Sequence, residues 1–485
     1  MAEQRAQLPS LPRDLVAAVE HAAATWPDRP AWTFEAADGS TTRLTFAAVA
    51  ERTAAYAGAL RERGVGPGDR VAVLLGNEPG FPLVWLALAR IGAAIVPMNV
   101  RYRSTDAQHL LDDAGVRLAV TTLEHRTVLD GLERSPEVVL VEELRPAAAY
   151  EQGPVDPAAV VNVQYTSGTT GRPKGCLLTH EYWTTLGGSM LHEFPRITAD
   201  DVLLTAQPVH YVDPQWNVVA ALLAGAHLVV LDGFHPSTFW QRVRAHEVTY
   251  FYCLASMPVL LHKMPPDPAD RDHRVRAVQC SAIPPSLHAA LEERWGVGWY
   301  EAFGMTETGA DIRVTETDHD ELVGTGSLGL PAGHREARVV DGELWLRGPG
   351  MMTGYLGHPS PFRDGWFPTG DLARIDEAGR VTLQGRLKDM IRRSGENVAA
   401  HEVEEVLAAH PAVRLAAVVG VPDELRGEEV MAYVVAPGLP ADQAPAVLGA
   451  WCAERLAAFK VPSRWALREE LPLTASHRVA KAQLR

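Results

Sequence analysis

Four short stretches carry side chains suited to gripping a phosphorylated ligand. The first, Tyr165-Thr166-Ser167-Gly168-Thr169-Thr170-Gly171-Arg172-Pro173-Lys174-Gly175, holds three glycines, four aliphatic hydroxyls and one lysine in eleven residues. Glycine permits positive φ and close backbone approach. Backbone N–H groups around Gly168 and Gly171, with the hydroxyls of Thr166, Ser167, Thr169 and Thr170, can wrap a polyphosphate, and Lys174 adds a mobile positive charge. The spacing is not that of a G-x-x-x-x-G-K-[ST] loop, since Pro173 stands five residues after Gly168 and Gly175 follows the lysine. Alone, the stretch fits a plain glycine–threonine turn between two strands equally well.

Three later stretches extend the set. In Tyr300–Gly309, Thr306 can donate to a phosphate, Glu307 can hold a Mg²⁺ that bridges phosphates, and Phe303 can stack on a base. Asp371, at the end of Gly365-Trp366-Phe367-Pro368-Thr369-Gly370-Asp371, can accept both hydroxyls of a ribose. Arg386, after Gly385, can bond a ribose or a phosphate. Taken singly, each reads more simply as a turn or a solvated charge.

These side chains need a scaffold, and the hydrophobic pattern predicts one. Helical spacing over 11–24, 46–64, 81–91 and 105–114 alternates with short apolar runs at 71–75, 94–97 and 118–122, which argues for parallel β-α-β units. The alternation resumes after a Pro-rich connection around 146–157. Apolar runs at 160–163, 202–206, 250–253 and 275–280 predict strands, and 182–190, 239–246 and 287–295 predict helices. From 333 to 383 short β runs separated by glycine turns predict a small antiparallel, barrel-like set. Residues 389–485 read as a separate small α+β domain.

Composition narrows the classes. At 485 residues the chain exceeds a single core. A formal net charge of −15 disfavours nucleic acid or an anionic membrane as partner, since both need a basic face. Cys176, Cys253, Cys280 and Cys452 are scattered, outside any metal-ligand spacing, and suit a reducing cytoplasm. The start, Met-Ala-Glu-Gln-Arg, has no signal-peptide core, and the most apolar run, near 218–231, predicts a buried helix and strand instead of a membrane span.

Together, in this order and spacing, Tyr165–Gly175, Tyr300–Gly309, Gly365–Asp371 and Gly385–Asn397 resemble the signature strings of the acyl-adenylate-forming superfamily, over nearly the whole chain. Its members include acyl-CoA synthetases, adenylation domains of peptide synthetases and luciferases. The resemblance implies an N-terminal adenylation domain (1–385), a hinge (386–388) with Lys388 at its pivot, and a C-terminal lid (389–485). It implies Mg-ATP as co-substrate and two half-reactions. A carboxylate first attacks the α-phosphate to give acyl-AMP and pyrophosphate. The lid then turns, and a thiol of coenzyme A or of a carrier protein's phosphopantetheine displaces AMP. In this scheme the 166–174 loop holds the β- and γ-phosphates, Thr306 the α-phosphate, Glu307 the metal, and Asp371 and Arg386 the ribose. Ser281 and Ala282 line the adenine pocket beside Phe303. The acyl cleft falls near His210 and Tyr211, with Tyr211 in the family's histidine position. Asp213 and Gln215 look most like the carnitine/crotonobetaine CoA-ligase branch.

Two departures bear on mechanism. The lysine that the family presents near its C-terminus aligns with Arg478, leaving three readings open: Arg478 does its work, Lys481 reaches in from a different turn, or adenylation uses neither. Arginine keeps the charge in a larger, planar form. In the lid, Ser394 stands where the family often has glycine, and Val398-Ala399-Ala400-His401 replaces its Tyr-Pro pair. The expected activity is an acid–thiol ligase acting on a small-molecule acid. The alternatives are an adenylating enzyme that delivers an acid, or a small oxyanion such as nitrite, to an amine, and a nucleotide-binding homologue that has lost catalysis.

Overall fold

The computed structural model describes residues 11–144, 150, 153–166, 173–254, 256–394, 396–423, 425–473 and 479–484. Among these, three sheets organise the chain. A six-stranded sheet runs in the order Glu137–Leu140, Leu118–Thr121, Arg70–Leu74, Ala94–Pro97, Val160–Thr166 and Lys174–Thr179. All its pairings are parallel except the last, where Thr166 pairs with Lys174 and Tyr165 with Gly175. The phosphate-type loop therefore spans two antiparallel strands, whose rims present Thr166 and Lys174. Its tip, with Ser167, Gly168, Thr169, Thr170 and Gly171, lies outside the described residues.

A thirteen-stranded sheet carries the rest of the site. Strands 30–35, 227–231, 202–205, 250–254, 277–281 and 299–305 run parallel, with Thr41–Thr45 antiparallel to 30–35 at the outer edge. The sheet then turns antiparallel through Gly309–Arg313, Ser327–Pro331, Val381–Arg386, Phe367–Ile375, Glu343–Arg347 and Glu336–Val340. The antiparallel set is thus hydrogen-bonded edge-on to the parallel strands. Helices cover the parallel part: Gly80–Ile91 is buried at every position and Val212–Ala224 at every position after Val212, as a helix sandwiched between sheets must be. Val218 to Leu231 divides into the end of that second helix, a turn at Gly225 (φ +71°) and the strand His227–Leu231, as its pattern predicts. No helix among the described residues is long and apolar enough to cross a membrane.

The last hundred residues build their own core. Ile391, Val403, Leu407, Val430, Val434 and Leu448 pack together beneath a sheet of Met390–Arg393, Glu396–Ala399, Leu415–Asp423, Gly427–Val435 and Arg464–Leu467. The hairpin 390–399 and the strand 464–467 have no counterpart in the sequence reading, because their inward faces offer two or three apolar residues each. This unit touches the N-terminal part at defined points. The helix Ala400–Ala408 packs on the strand Val381–Arg386, and Lys263 Nζ donates to the carbonyls of Val413 (3.1 Å) and Arg414 (3.4 Å). Lys388 falls in the one-turn helix Leu387–Asp389 that joins the two parts; its side chain is outside the described residues.

Candidate active site

Thr166, Thr205, Leu254, Ser281 and Met305 end neighbouring strands of the two sheets, and open parallel sheets bind ligands beyond such carboxyl ends. The motif side chains gather there. The strand Trp299–Met305 pairs back on Gly309–Arg313, so Thr306 and Glu307 form the tip of a hairpin where the sequence suggested only a turn. A Cβ on Gly304 would lie 2.2 Å from the Gly309 carbonyl oxygen, so the strands can approach only with glycine there. The tip is pinned from outside. Met352 N–H donates to the Glu307 carbonyl at 2.9 Å. Arg335, fully buried, donates to Asp311 (2.7 Å) and to the Thr308 carbonyl.

Glu307 is the centre of a cluster drawn from distant segments. Its Oε1 accepts the Tyr355 hydroxyl at 3.0 Å, and Lys174 Nζ lies 5.3 Å from the Tyr355 ring centre. Tyr355 reaches this place because the 352–356 segment bonds to the edge of Lys174–Thr179, through Leu177 N–H to Gly354 O and Leu356 N–H to Gly175 O. Burial raises the Glu307 carboxyl above the usual carboxylate range; the Arg386 charge opposes this and the Asp371 charge adds to it. Asp371 lies on the strand Phe367–Ile375, paired in register with Arg386, whose Nε donates to Asp371 Oδ1 at 2.7 Å. The sequence reading placed Asp371 in a turn; it is buried in a strand, which fixes its carboxylate more firmly than a loop would. Thr306, Glu307, Asp371, Arg386, Lys174 and Thr166 are all brought to one rim.

A second group surrounds the ends of 250–254 and 277–281. Ser281 Oγ donates to the Ala302 carbonyl (2.7 Å) and faces the Tyr252 hydroxyl (2.6 Å). Ala282 follows with φ +70°. Phe303 lies half-buried on the adjacent strand, paired with Ile312.

The stretch expected near the acyl cleft enters a helix at Val212, with Tyr211 as its N-cap, so Asp213 and Gln215 lie on its first turn. Gln215 is spent on structure: its Nε2 donates to Val209 O (3.0 Å) and Gln164 Oε1 (3.3 Å), and its Oε1 accepts from Asn162 (2.6 Å). Asp213 is buried, accepts from Trp216 Nε1 (3.1 Å) and Thr205 Oγ1 (3.2 Å), and is pushed up by burial to about 7. The His210 ring lies tilted against Tyr211 with ring centres 4.4 Å apart, and burial holds it neutral, down to about 3. Trp216 meets Tyr252 edge to face at 5.9 Å.

Of the two lid candidates, Arg478 lies outside the described residues. Lys481 stays in the C-terminal unit, with Nζ 2.7 Å from Glu404 and 3.9 Å from Asp389, and is not brought among Lys174, Glu307 and Arg386. Ser394 takes φ +53°, the conformation for which glycine is the usual choice.

The trio His288, Glu292 and His319 has the composition of a metal centre but not its chemistry. His288 Nδ1 accepts the Gly324 N–H, so Nε2 keeps the proton and donates to the Trp299 carbonyl at 2.6 Å. Glu292 pairs with His319 at 2.7 Å, its pKa lowered by those histidines. The three form a hydrogen-bonded brace under the strand Trp299–Met305.

Tyr355, Arg335 and Glu301 escaped the sequence reading. For Glu301 a signal existed, a lone carboxylate inside the apolar run Trp299-Tyr300-Glu301-Ala302-Phe303; for the other two none did.

Residues 19–356 match the family model for AMP-binding enzymes, and residues 402–478 match the model for the AMP-binding enzyme C-terminal domain. The chain belongs to this family. Feruloyl-CoA synthase of Amycolatopsis sp is 33% identical over 470 residues, covering 92% of this chain and 94% of the relative. Crotonobetaine/carnitine–CoA ligase of Salmonella paratyphi A is 30% identical over 506 residues, covering 94% and 96%. The solved structure of o-succinylbenzoate CoA synthetase from Bacillus subtilis, in complex with its acyl-adenylate intermediate, superposes with a TM-score of 0.84 at 26% identity, over 96% of this chain and 97% of that one. The activity is AMP-forming ligation: adenylation of a carboxylic acid by ATP, followed by thioester formation.

Proposed function

We propose that the acceptor thiol is that of coenzyme A and that the acid has an uncharged, apolar or aromatic remainder. The observation that carries the nucleotide end is the rim that unites Glu307, Tyr355 and Lys174 with the Asp371–Arg386 pair. The residues fit Mg-ATP: Glu307 is a partly buried carboxylate with no cationic partner at bonding distance among the described residues, and a Mg²⁺ held there would neutralise charge on the phosphates. Lys174 and Thr166 would bind the outgoing pyrophosphate, Thr306 would donate to the α-phosphate, and Asp371 would take the ribose hydroxyls with Arg386 aligning it. Carboxylate is a weak nucleophile, so the gain lies in alignment and in charge placed on the phosphoryl oxygens.

For the acid, Trp216 and Tyr252 supply aromatic walls and His210 is neutral. Asp213 spends both oxygens on Trp216 and Thr205. Of the four side chains His210, Asp213, Trp216 and Tyr252, none offers an unpaired charge to a second carboxylate, and the cation acting on His210 is the exposed Arg101; the aromatic faces favour the acid type of the feruloyl relative. Division at 386–388, with 389–485 as a moving lid, and a cytoplasmic location complete the reading. The test is pyrophosphate release over a panel of aromatic, aliphatic, dicarboxylic and betaine acids, with mass spectrometry of products formed with coenzyme A, a phosphopantetheinylated carrier protein, or amines. Release with dicarboxylic acids only, or amide products only, would overturn it.

A further inference from the structure

One buried carboxylate outside the assigned set supports the nucleotide end. Glu301 is 5% exposed, and its two oxygens accept the N–H groups of Ala282 (2.6 Å) and Ile283 (2.8 Å). Ala282 sits in the left-handed region, which costs a non-glycine residue about 1–3 kcal/mol, so the loop needs an external hold. Glu301 provides it from the adjacent strand. The next bonds in the chain are Tyr252 to Ser281 and Ser281 to the Ala302 carbonyl, beside Glu301 itself.

The same carboxylate feels the C-terminal unit. His401, on the first turn of Ala400–Ala408, is half-exposed and ion-paired with Glu405 (Nε2–Oε1 3.2 Å), and its helix packs on the strand Val381–Arg386. Its charge favours the ionised form of Glu301, and that of Glu405 opposes it. The other titratable groups facing Glu301 are Tyr252 and Cys280, both raised by burial and so neutral.

We propose that Glu301 is a positioning residue of the nucleotide pocket, shaping the Ser281–Ile283 loop by its two main-chain bonds, and that the lid biases this hold through His401. The proposal rests on the reading of Ser281 and Ala282 as nucleotide-lining. A carboxylate accepts both N–H groups well; once protonated, one oxygen becomes a hydroxyl and a poorer acceptor. Burial pushes Glu301 up to about 8, so the loop tightens as pH rises through that region. Glu405 raises His401 above the ordinary imidazole value, and where His401 carries its charge, removing it moves the transition to higher pH.

The experiment is calorimetric binding of AMP to the full chain across this pH range, with adenosine as a ligand that has no phosphate to titrate. Wild type should bind more tightly as pH rises. E301Q should bind on the order of tenfold more weakly, since one buried N–H loses its acceptor, and its affinity should no longer rise with pH. H401A should match wild type at high pH, with its transition shifted upward. No binding by wild type overturns the nucleotide reading and the proposal with it. Binding by E301Q with wild-type affinity and pH profile overturns the role of Glu301 alone. An unshifted H401A profile overturns the lid's part and stays informative if E301Q fails to fold, because His401 lies outside the core. A purely structural role would lower stability without erasing the pH dependence.

Discussion

Two buried carboxylates near the strand ends are used differently. Glu301, on the strand Trp299–Met305, spends its oxygens on backbone N–H groups of Ala282 and Ile283. Asp213, on the first turn of the helix Val212–Ala224, spends them on the side chains of Trp216 and Thr205. Burial raises both, to about 8 and about 7. A carboxylate that holds main chain fixes a shape that many side chains can follow. One that holds an indole fixes the size of a single wall. On the proposed reading, the nucleotide end is built to serve one ligand, and the acid end can be retuned by exchanging Trp216, Tyr252 or Asp213. The relatives agree, sharing the frame while carrying names for chemically different acids.

This contrast can be broken in several ways. The largest effect is expected from Arg335→Ala, which strands Asp311 uncompensated beneath the Thr306–Glu307 tip. A loss of about 3–5 kcal/mol should appear in denaturant unfolding, with nucleotide binding falling in parallel. Glu307→Gln should lower acid-dependent pyrophosphate release on the order of 10²–10³-fold while the unfolding midpoint holds or rises, because a strained buried charge has gone. A drop in stability without a drop in rate would move Glu307 from the reaction to the scaffold.

At the acid end, Trp216→Ala should leave AMP affinity alone and change the ranking of acids by about 10-fold in favour of larger ones, read as kcat/KM across the panel. An equal loss for every acid would mean that Trp216 packs without lining the pocket. Asp213→Asn keeps both bonds, since an amide can accept from the indole and donate to Thr205. It should remove a pH effect. A carboxyl raised in the folded state contributes stability that is fully present below its unfolded value, about 4, and is lost as pH rises through about 7. Wild type should therefore lose stability over that window, and the variant should lose less, in thermal melts at stepped pH. The smallest change is Ser394→Gly, which relieves a positive φ at an exposed turn and should stabilise the C-terminal unit by about 1 kcal/mol with adenylation unaltered.

Legibility followed how local each signal was. The helices Phe46–Glu62 and Gly80–Ile91 and the strands Arg70–Leu74 and Ala94–Pro97 emerge at nearly the boundaries that the pattern predicts, because alternation of buried segments is written in each segment. Asp371 was legible as a residue but not as a strand residue, since Gly370 and Pro368 mimic a turn and the pairing with Arg386 that stabilises the strand comes from elsewhere. The start of the helix Val212–Ala224 was missed for a similar reason: Pro214 reads as a breaker, yet proline is tolerated in a first turn, where its N–H is not needed.

The sequence by itself determined the alternating frame, the four motif strings and the reaction class, because such strings depend on residue type and spacing within a short segment. Only the tertiary structure decided that Tyr355 meets Glu307, that Arg335 and Glu301 brace the loops, that Gln215 is a tie between sheets and that Lys481 belongs to Glu404. Each of those joins segments far apart in the chain. Such a meeting is set by how the sheets pack, and no local pattern of residues encodes it.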